Sequence, residues 1–317
     1  SHGAAMAGAE IVCGVDGWDL ATQAFADNHP GAAVVNAWMD EDSGPELTGD
    51  LGRIDLILAS PECTNHTCAR GARERDESSR ATARYVLNFA HSLQPRWIVV
   101  ENVVHMKQWH GYRVLLQELQ RDYHVRETSL DASDFGVPQK RRRLFLLCDR
   151  LQYPAPVIPI TTAQSVTAET VVDRNGSWKA GPLYSRCRAQ ASLERAERGI
   201  AALGEGQDFL MVYYSSDAAG GWQSLDRPLR TVTTLDRFGL VQWRHGKPTL
   251  RMLQIPELRR AMGFSPDYRL DRGSRRQKIR MLGNSVAPPV MQAIVNTLIA
   301  GRSNGLQQPT VIPIAAE

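Results

Sequence analysis

The segment 54–59 reads IDLILA, and the loop that follows it, residues 60–63, reads SPEC. A short, largely apolar run that ends at a proline-containing turn is typical of a buried strand followed by a loop. The segment 96–100, RWIVV, has the same character and leads into the polar residues 101–102. Because both runs are apolar throughout rather than alternating, they indicate the parallel sheet of an α/β protein, covered by helices on both faces.

Predicted helices alternate with strands along the chain. The spacing of apolar residues predicts five helices and two further strands: helices at 20–28, 81–93, 112–122, 256–262 and 289–300, and strands at 10–15 and 143–148. This alternation predicts an α/β fold with a doubly wound, mostly parallel sheet of the Rossmann-like type.

A change of composition indicates a second, smaller domain. The segment 154–159 holds three prolines, and the alternation of strands and helices is absent from there to about residue 226. We predict two domains, a larger one of residues 1–153 and 275–317 and a smaller one of residues 154–274. Within the smaller domain, the irregular region at about 154–226 is a candidate module for binding a partner.

The composition is that of a soluble globular protein with a small excess of positive charge. Of 317 residues, 43% are hydrophobic and 22% charged, and no apolar run approaches the roughly 18 residues that a membrane span requires. Five cysteines without paired spacing indicate free thiols in a reducing compartment, and therefore a cytoplasmic protein. The net charge is only +3, and five of the 37 basic residues are lysine. Arginine suits phosphates and guanine edges, although a GC-rich genome produces the same bias, so the composition permits a nucleic-acid partner without requiring one.

Cys63 is the first candidate for a catalytic side chain. It follows the predicted strand 54–59, and ligands of open parallel sheets bind beyond the carboxyl ends of the strands. A lone cysteine is more often a small core residue, but the polar neighbours of Cys63 argue against burial. A zinc site made with His66 and Cys68 is the weaker alternative, because the three ligands share one short loop and no partner pair exists elsewhere.

A carboxylate and two arginines are expected near the same edge of the sheet. Glu101 follows the predicted strand 96–100, and Arg141 and Arg143 stand at the start of the strand 143–148. Taken singly, these features are ordinary, since a strand-end glutamate is usually solvated and a charge run usually marks an exposed face. Their common position beside Cys63 makes them candidates for one active site.

The order of these motifs resembles the cytosine-5 DNA methyltransferase family. The segments that carry the resemblance are 60–64, 101–103, 135–145 (FGVPQKRRRLF) and 283–288 (GNSVAP), with 227–234 (RPLRTVTT) and 254–264 also similar. The resemblance covers the chain from about Gly14 to Ala300 except for the middle module. It implies a Rossmann-like catalytic domain, a target-recognition region at about 154–226, the cofactor S-adenosyl-L-methionine, and double-stranded DNA of a specific sequence as substrate.

The resemblance also implies how the site works. Cys63 would add as a thiolate to carbon 6 of cytosine, which turns carbon 5 into a nucleophile for the methyl group. Glu101 would contact ring nitrogen 3 and the exocyclic amine, while Arg143 and Arg141 would hold the base. None of these groups can reach a stacked base, so the cytosine must be flipped out of the duplex.

Binding residues are implied in the same way. The carboxylate of Asp16 corresponds to the family residue that binds the ribose hydroxyls, and Trp18 is a candidate to stack on adenine, although a strict alignment places Gly17 there. The cofactor-binding candidates are Asp16, Trp18, Met39, Asn284 and Ser285. The candidate DNA contacts, in the middle module, are Arg174, Lys179, Arg186 and Arg188.

The sequence departs from the family at several positions. The family begins with a strand and a Phe-x-Gly-x-Gly loop, and residues 1–8 resemble only the helix after that loop. We therefore expect an N-terminal segment or a partner chain to supply that loop, and we expect poor cofactor binding by the chain as given. Trp38 stands near the position where an acidic residue often contacts adenine.

Two other functions remain open at this point. The chain is either a DNA methyltransferase, a non-catalytic DNA-binding or partner subunit of a split methyltransferase, or a tRNA cytosine-5 methyltransferase. The inserted module of roughly seventy residues favours DNA over tRNA, because a module of that size suffices to read a few base pairs. A cognate restriction endonuclease is a candidate partner of a DNA enzyme.

The substitution Cys63→Ser tests the covalent mechanism. We expect it to abolish methyl transfer while DNA binding remains measurable, because a hydroxyl is far less acidic than a thiol. Methyl transfer is measured with labelled cofactor and DNA binding by gel shift. Cys68→Ser, in the same loop, is the matched control and should retain activity, whereas wild-type turnover by Cys63→Ser would exclude the covalent mechanism.

Overall fold

The computed structural model describes residues 1–62, 76–77, 82–159, 166–214 and 220–304. Cys63, His66 and Cys68 therefore lie outside the described residues. The eight helices of the described part are α1 His2–Met6, α2 Asp19–Asn28, α3 Val86–Leu93, α4 Gly111–Asp122, α5 Gln190–Leu203, α6 Ile255–Ala261, α7 Arg275–Asn284 and α8 Pro288–Asn304. In those described ranges, no helix is long and apolar enough to cross a membrane.

The strands of the described residues form three sheets. Two belong to the N-terminal half: the pair β1 Cys13–Asp16 and β2 Ala33–Asn36, and the sheet of β3 Leu56–Ala59, β4 Trp97–Asn102, β5 His124–Asp131 and β6 Arg142–Asp149. The third comprises β7 Gly181–Pro182, β8 Phe209–Val212, β9 Trp222–Ser224, β10 Phe238–Arg244 and β11 Lys247–Met252. Every predicted strand is present, and its bounds differ from the prediction by three residues at most.

The four-stranded sheet has the order β3-β4-β6-β5, and one of its strands runs against the others. β3 pairs parallel with β4, whereas β6 pairs antiparallel with both β4 and β5. Within this sheet the predicted, mostly parallel arrangement has one exception, the strand β6. The pattern of β6 gives no sign of its direction, because a strand that is buried on both faces is apolar in either orientation.

Helices cover both faces of this sheet, as predicted. Successive side chains of β4 point to opposite faces. Ile98 and Val100 pack with α3 and α4, whereas Trp97 and Val99 pack with α1 and α8. All six residues of β4 are buried, and this continuous burial explains why its sequence is apolar throughout.

β5 was not predicted from the sequence. Its eight residues, HVRETSLD, are mostly polar and include only two buried side chains, Val125 and Leu130. β5 lies at the edge of the sheet and pairs on one side only. An edge strand with a partly solvated surface does not have the apolar run by which β3, β4 and β6 were recognised.

The third sheet is formed entirely by strands between residues 181 and 252. Its five strands are antiparallel and lie in the order β7-β11-β10-β8-β9. α5 covers one face and α6 and α7 cover the other. The region to residue 226 was predicted to be irregular, without an alternation of strands and helices, and the structure places α5 and three strands in it. A Cβ at Gly199 would lie 2.4 Å from the ring of Phe209, so the glycine that weakens the helical pattern allows α5 to pack closely on β8.

A buried ion pair joins β11, in the five-stranded sheet, to the first turn of α6. Arg251 donates to both carboxylate oxygens of Glu257 at 2.7 Å, and both side chains are almost fully buried. Glu257 also accepts from the backbone N–H groups of Asp173 and Gln254. Its carboxylate therefore joins β11, the first turn of α6 and the loop at Asp173.

The substitution Glu257→Gln should destabilise the fold strongly. Loss of one partner leaves the Arg251 charge buried without compensation, which costs about 3–5 kcal/mol. The free energy of unfolding, measured with urea, checks this value. Glu169→Gln is the matched control, because Glu169 forms an exposed ion pair with Arg174 and its loss should change stability little. Equal effects of the two substitutions would contradict the role assigned to Glu257.

Candidate active site

The reversed direction of β6 brings its first residues to the edge where β4 ends. Glu101 and Asn102, the last residues of β4, pair with Phe145 and Leu144. Arg143 therefore lies one residue beyond the last pair, next to the carboxyl end of β4. Had β6 run parallel to β4, its first residues would lie at the opposite edge of the sheet. The predicted proximity of Arg143 and Glu101 is confirmed.

Glu101 and Arg143 form a partly desolvated ion pair. The Nε atom of Arg143 lies 3.3 Å from Oε1 of Glu101, and their side chains are only 16% and 8% exposed. Burial raises the pKa of Glu101, and this effect is opposed by the charges of Arg143 and Arg141 and by a hydrogen bond from Ser60. The carboxyl group of Glu101 consequently holds a proton at higher pH than an ordinary glutamate does.

Asn102 attaches the loop after β3 to the end of β4. Its side-chain Nδ2 donates to the carbonyl of Pro61 at 3.2 Å, and its Oδ1 accepts from the N–H of Val103 at 2.8 Å. Asn102 is almost fully buried. The chain that leads to Cys63 is thus fixed, two residues before the cysteine, beside Glu101. No role was predicted for Asn102 from the sequence, although its place in the motif 101–103 was a signal.

Three other cysteines lie in the described part of the chain, and none resembles a nucleophile. Cys148 is buried, and burial raises the pKa of its thiol. Burial also raises the pKa of Cys13. Cys187 is exposed but follows the antiparallel strand β7, not the carboxyl end of a parallel strand where ligands of α/β sheets bind. These positions therefore do not compete with Cys63 for the role.

The guanidinium group of Arg141 is hydrogen-bonded to backbone carbonyls of distant segments. Its Nη1 donates to Val232 at 2.9 Å, and its Nη2 donates to Gly283 at 2.7 Å and Ser285 at 2.9 Å. The residue is only 3% exposed. These bonds fasten the segments 227–234 and 283–288 to the start of β6. They also use three of the five N–H donors with which Arg141 was expected to hold a base.

Gln139 makes a second connection to the segment 227–234. Its Oε1 accepts from the N–H of Val232 at 2.9 Å, and its Nε2 donates to the carbonyl of Ala261 at 3.0 Å. The backbone nearby is also paired, because the N–H of Lys140 donates to Leu229 at 2.7 Å. The fully buried Gln139 therefore acts as a structural link, which the sequence analysis did not identify.

The candidate residues for the adenosine half of a cofactor lie at the carboxyl ends of β1 and β2. Asp16 ends β1, and its Oδ1 accepts from the N–H of Trp18 at 2.7 Å. Burial raises the pKa of Asp16, against the effects of that hydrogen bond and of the Arg280 charge. Trp38 and Met39 follow β2, and both are exposed. The structure thus brings Asp16, Trp18 and Trp38 together.

The candidates Asn284 and Ser285 lie at the end of α7. The hydroxyl of Ser285 donates to the carbonyl of Leu282 at 2.8 Å, and Asn284 is exposed. A Cβ at Gly283 would lie 2.4 Å from the carbonyl carbon of Thr233, so this close approach requires glycine. The same helix carries Arg280, whose guanidinium carbon lies 4.7 Å from the centre of the Trp18 ring.

The four candidate DNA contacts differ in their surroundings. Arg174 is paired with Glu169 at 3.0 Å. Arg188 is half-buried, and its Nε donates to the carbonyl of Leu183 at 2.7 Å. Lys179 and Arg186 are exposed. Lys179, Arg186 and Arg174 remain accessible to a phosphate, whereas Arg188 supports the turn after β7.

No group of three potential metal ligands occurs in the ranges that the structure describes. The weaker alternative of a zinc site at Cys63, His66 and Cys68 falls outside those ranges.

Residues 1–300 match the family described as C-5 cytosine-specific DNA methylase. The chain belongs to this family. The type II methyltransferase M.XorII of Xanthomonas oryzae pv. oryzae is 28% identical over 187 residues, which are 55% of this chain and 43% of the relative. M1.HgaI of Avibacterium volantium is 24% identical over 280 residues, or 75% of this chain and 76% of that one. The matched regions span less than half the length of the first curated relatives.

Solved structures confirm the fold. A putative DNA modification methyltransferase encoded by an Escherichia coli prophage superposes with a TM-score of 0.67 and 18% identity, and 95% of each chain is covered. DNMT2 of Spodoptera frugiperda gives a TM-score of 0.65 at 18% identity and covers 94% of this chain and 96% of its own. The predicted α/β, Rossmann-like fold is confirmed.

The substitution Arg141→Lys tests the role of the buried guanidinium. A lysine keeps the charge but cannot reach three carbonyls in this arrangement, and each lost bond to a charged donor costs about 1.5–3 kcal/mol. We expect a loss of about 3 kcal/mol in the free energy of unfolding, measured with urea. Arg142→Lys, at the exposed neighbouring position, is the control and should stay within about 0.5 kcal/mol of the wild type. If Arg141→Lys unfolded with the free energy of the wild type, the three hydrogen bonds of Arg141 would not stabilise the fold.

Proposed function

We propose that this protein transfers a methyl group to carbon 5 of cytosine within a specific sequence of double-stranded DNA. The observation that carries the proposal is the desolvated pair of Glu101 and Arg143 beside the fixed start of the Cys63 loop, in a chain of this family. A buried carboxyl group with a raised pKa at a sheet edge is the arrangement expected of a proton donor.

Cys63 and Glu101 divide the chemistry between them. The Cys63 thiolate forms a bond to carbon 6 of the base, and the electron pair of the broken 5,6 double bond becomes available at carbon 5. Glu101 donates a hydrogen bond to ring nitrogen 3, which stabilises the negative charge that develops as sulfur adds. After methylation, the proton on carbon 5 is removed by a base and Cys63 leaves as the thiolate.

The two arginines have different tasks in this scheme. Arg143 lies within 3.3 Å of Glu101 and orients the carboxyl group toward the base. Arg141 is a positioning residue, because its guanidinium is bonded to Val232, Gly283 and Ser285. This assignment differs from the one implied by the resemblance, in which both arginines touch the base.

The residues at the ends of β1 and β2 fit the adenosine part of S-adenosyl-L-methionine. A carboxylate at a strand end suits ribose hydroxyls, and Asp16 occupies that position. Exposed indole surface beside it suits adenine. Ser285 and Asn284, at the end of α7, are the proposed contacts of the methionine part, and Met39 is a further proposed contact. When bound, the cofactor supplies the electrophilic methyl group.

The DNA is proposed to lie against the smaller domain. Arg174, Lys179 and Arg186 are proposed to contact phosphates or bases, and Arg188 to support them. Because such contacts release counterions, binding should weaken steeply with salt concentration. The target cytosine must leave the helix to reach Glu101. The named relatives are type II methyltransferases, so a cognate restriction endonuclease and a cytoplasmic location are proposed for this chain too.

Bisulfite sequencing tests the proposed function directly. The full-length protein is expressed in a host without cytosine methylation, and genomic DNA and tRNA are both sequenced after conversion. Methylated cytosine confined to one short DNA sequence would support the proposal. Unmethylated DNA with methylated tRNA would support the tRNA enzyme, and methylation of neither would support the non-catalytic subunit.

The pH dependence of the reaction should depend on Glu101. At high pH the rate should fall as Glu101, whose pKa is raised by burial, loses its proton. In Glu101→Gln the amide donates at every pH, so the decline at high pH should disappear while the rate falls about a hundredfold or more.

Single-turnover rates across the pH range measure both effects. Glu118→Gln, on the surface of α4, is the control and should keep the wild-type rate and profile. A Glu101→Gln profile that still declines at high pH would show that another group titrates there.

A further inference from the structure

Two tryptophans follow neighbouring strand ends beside Asp16. Asp16 and Asn36 are paired across β1 and β2, and the N–H of Ala37 donates to the carbonyl of Asp16 at 3.1 Å. Trp18 and Trp38 each stand two residues beyond these paired positions. Either ring could therefore stack on a planar ligand whose sugar is held by Asp16. The structure distinguishes the two.

The ring of Trp18 already has a partner. The guanidinium of Arg280 lies 4.7 Å from its centroid, and the residue is half-buried at the start of α2. This cation–π contact is typical of a ring that holds two elements together, here α2 and α7.

The ring of Trp38 lies against the backbone of Gly17 and is otherwise open. A Cβ at Gly17 would fall 2.5 Å from Cδ2 and 2.6 Å from Cε3 of Trp38, so any side chain there would overlap the indole. Trp38 is 83% exposed, the highest value for a large hydrophobic side chain among the described residues. Gly17 thus leaves space beside Asp16, and the Trp38 ring occupies it.

The backbone that carries Trp38 is fixed at both ends. On one side it continues β2, which is paired with β1. On the other side the turn at residues 40–43 is closed by Asp40 and Ser43, whose side chains are 2.7 Å apart. The side chain of Asn88 on α3 donates to the carbonyls of Glu41 and Ser43 at 2.7 and 3.0 Å. An exposed aromatic ring on a fixed backbone loses little entropy when it stacks on a ligand.

We propose that Trp38, seated on Gly17, is the ring that stacks on the adenine of the cofactor, and that Trp18 is a positioning residue. The proposal rests on the proposed function, since it requires a cofactor that carries adenosine. It differs from the sequence interpretation, in which Trp18 was the stacking candidate. It also gives a reason for glycine at position 17, where a side chain would displace the indole of Trp38.

Equilibrium binding of S-adenosylhomocysteine to the full-length protein, measured by calorimetry, tests the proposal. Trp38→Ala should weaken binding about ten- to a hundredfold, because stacking on an aromatic ring contributes that much to the binding of a base. Trp38→Phe retains a stacking surface and should stay within about threefold of the wild type. Since Trp38 is exposed, both variants should unfold at the wild-type temperature. Wild-type affinity of Trp38→Ala would overturn the proposal.

A double-mutant cycle tests the role of Gly17. Gly17→Ala should weaken binding about as much as Trp38→Ala, but should add little in the Trp38→Ala background, because the indole it displaces is already gone. Gly31→Ala, between α2 and β2, is the control, since a Cβ there meets no atom within 4 Å. Independent, additive effects of Gly17→Ala and Trp38→Ala would contradict the contact proposed between them.

The wild-type measurement separates this proposal from the proposed function. Failure of the wild-type protein to bind S-adenosylhomocysteine would overturn the methyltransferase proposal and this inference with it. Wild-type binding that is lost in Trp18→Ala but retained in Trp38→Ala would overturn only the inference, and would assign the stacking to Trp18.

Discussion

The edge of the sheet that carries the proposed active site depends on one buried guanidinium group. Arg141 donates to the carbonyls of Val232, Gly283 and Ser285, residues that lie about 90 to 145 positions away in the chain. Removal of such a charge from water is costly and is offset only when its donors are satisfied. Arginine suits this position because its planar group presents several donors in fixed directions, which a lysine cannot do. The segments 227–234 and 283–288 are therefore both held in place around the start of β6.

The direction of β6 determines which edge of the sheet the hydrogen bonds of Arg141 hold in place. Because β6 runs against β4, the residues that precede it meet the end of β4 rather than its beginning. Arg141 can then join the two C-terminal segments to the same edge at which Arg143 meets Glu101. A polar cluster at the carboxyl ends of parallel strands is common in α/β proteins, and here an antiparallel strand contributes half of it.

The sequence predicted three strands of the four-stranded sheet and the motifs between them. β4 and β6 are buried over most of their length and β3 is half-buried, but all three are apolar runs and were recognised as such, and Glu101 and Arg143 were expected at one edge. β5 and α5 were not recognised, because a half-solvated edge strand and a helix with a closely packed glycine have weaker patterns. The assignment of Cys63 remains a prediction, since it lies outside the described residues.

Contacts between distant segments could not be read from local patterns. An arginine run such as 141–143 is usually an exposed face, yet its three members differ completely: Arg141 is buried, Arg142 is exposed and Arg143 is paired with Glu101. The same limit applies to Gly17, whose significance depends on the position of Trp38 on another strand. Sequence spacing gives the residue types at a site, but the partner of each one follows only from the fold.

Helix α7 contacts both the proposed cofactor-binding residues and Arg141, which lies at the start of β6. Its first residue is fixed by an ion pair to Asp236 and a hydrogen bond to the carbonyl of Leu253, both at 2.6–2.7 Å. Its middle contacts Trp18 through Arg280, and its last turn is held by Arg141. A helix of ten residues is about 15 Å long and stiff over that length. The residues proposed to hold the adenosine and the edge of the sheet that carries Arg143 therefore both have contacts to a single short, rigid helix.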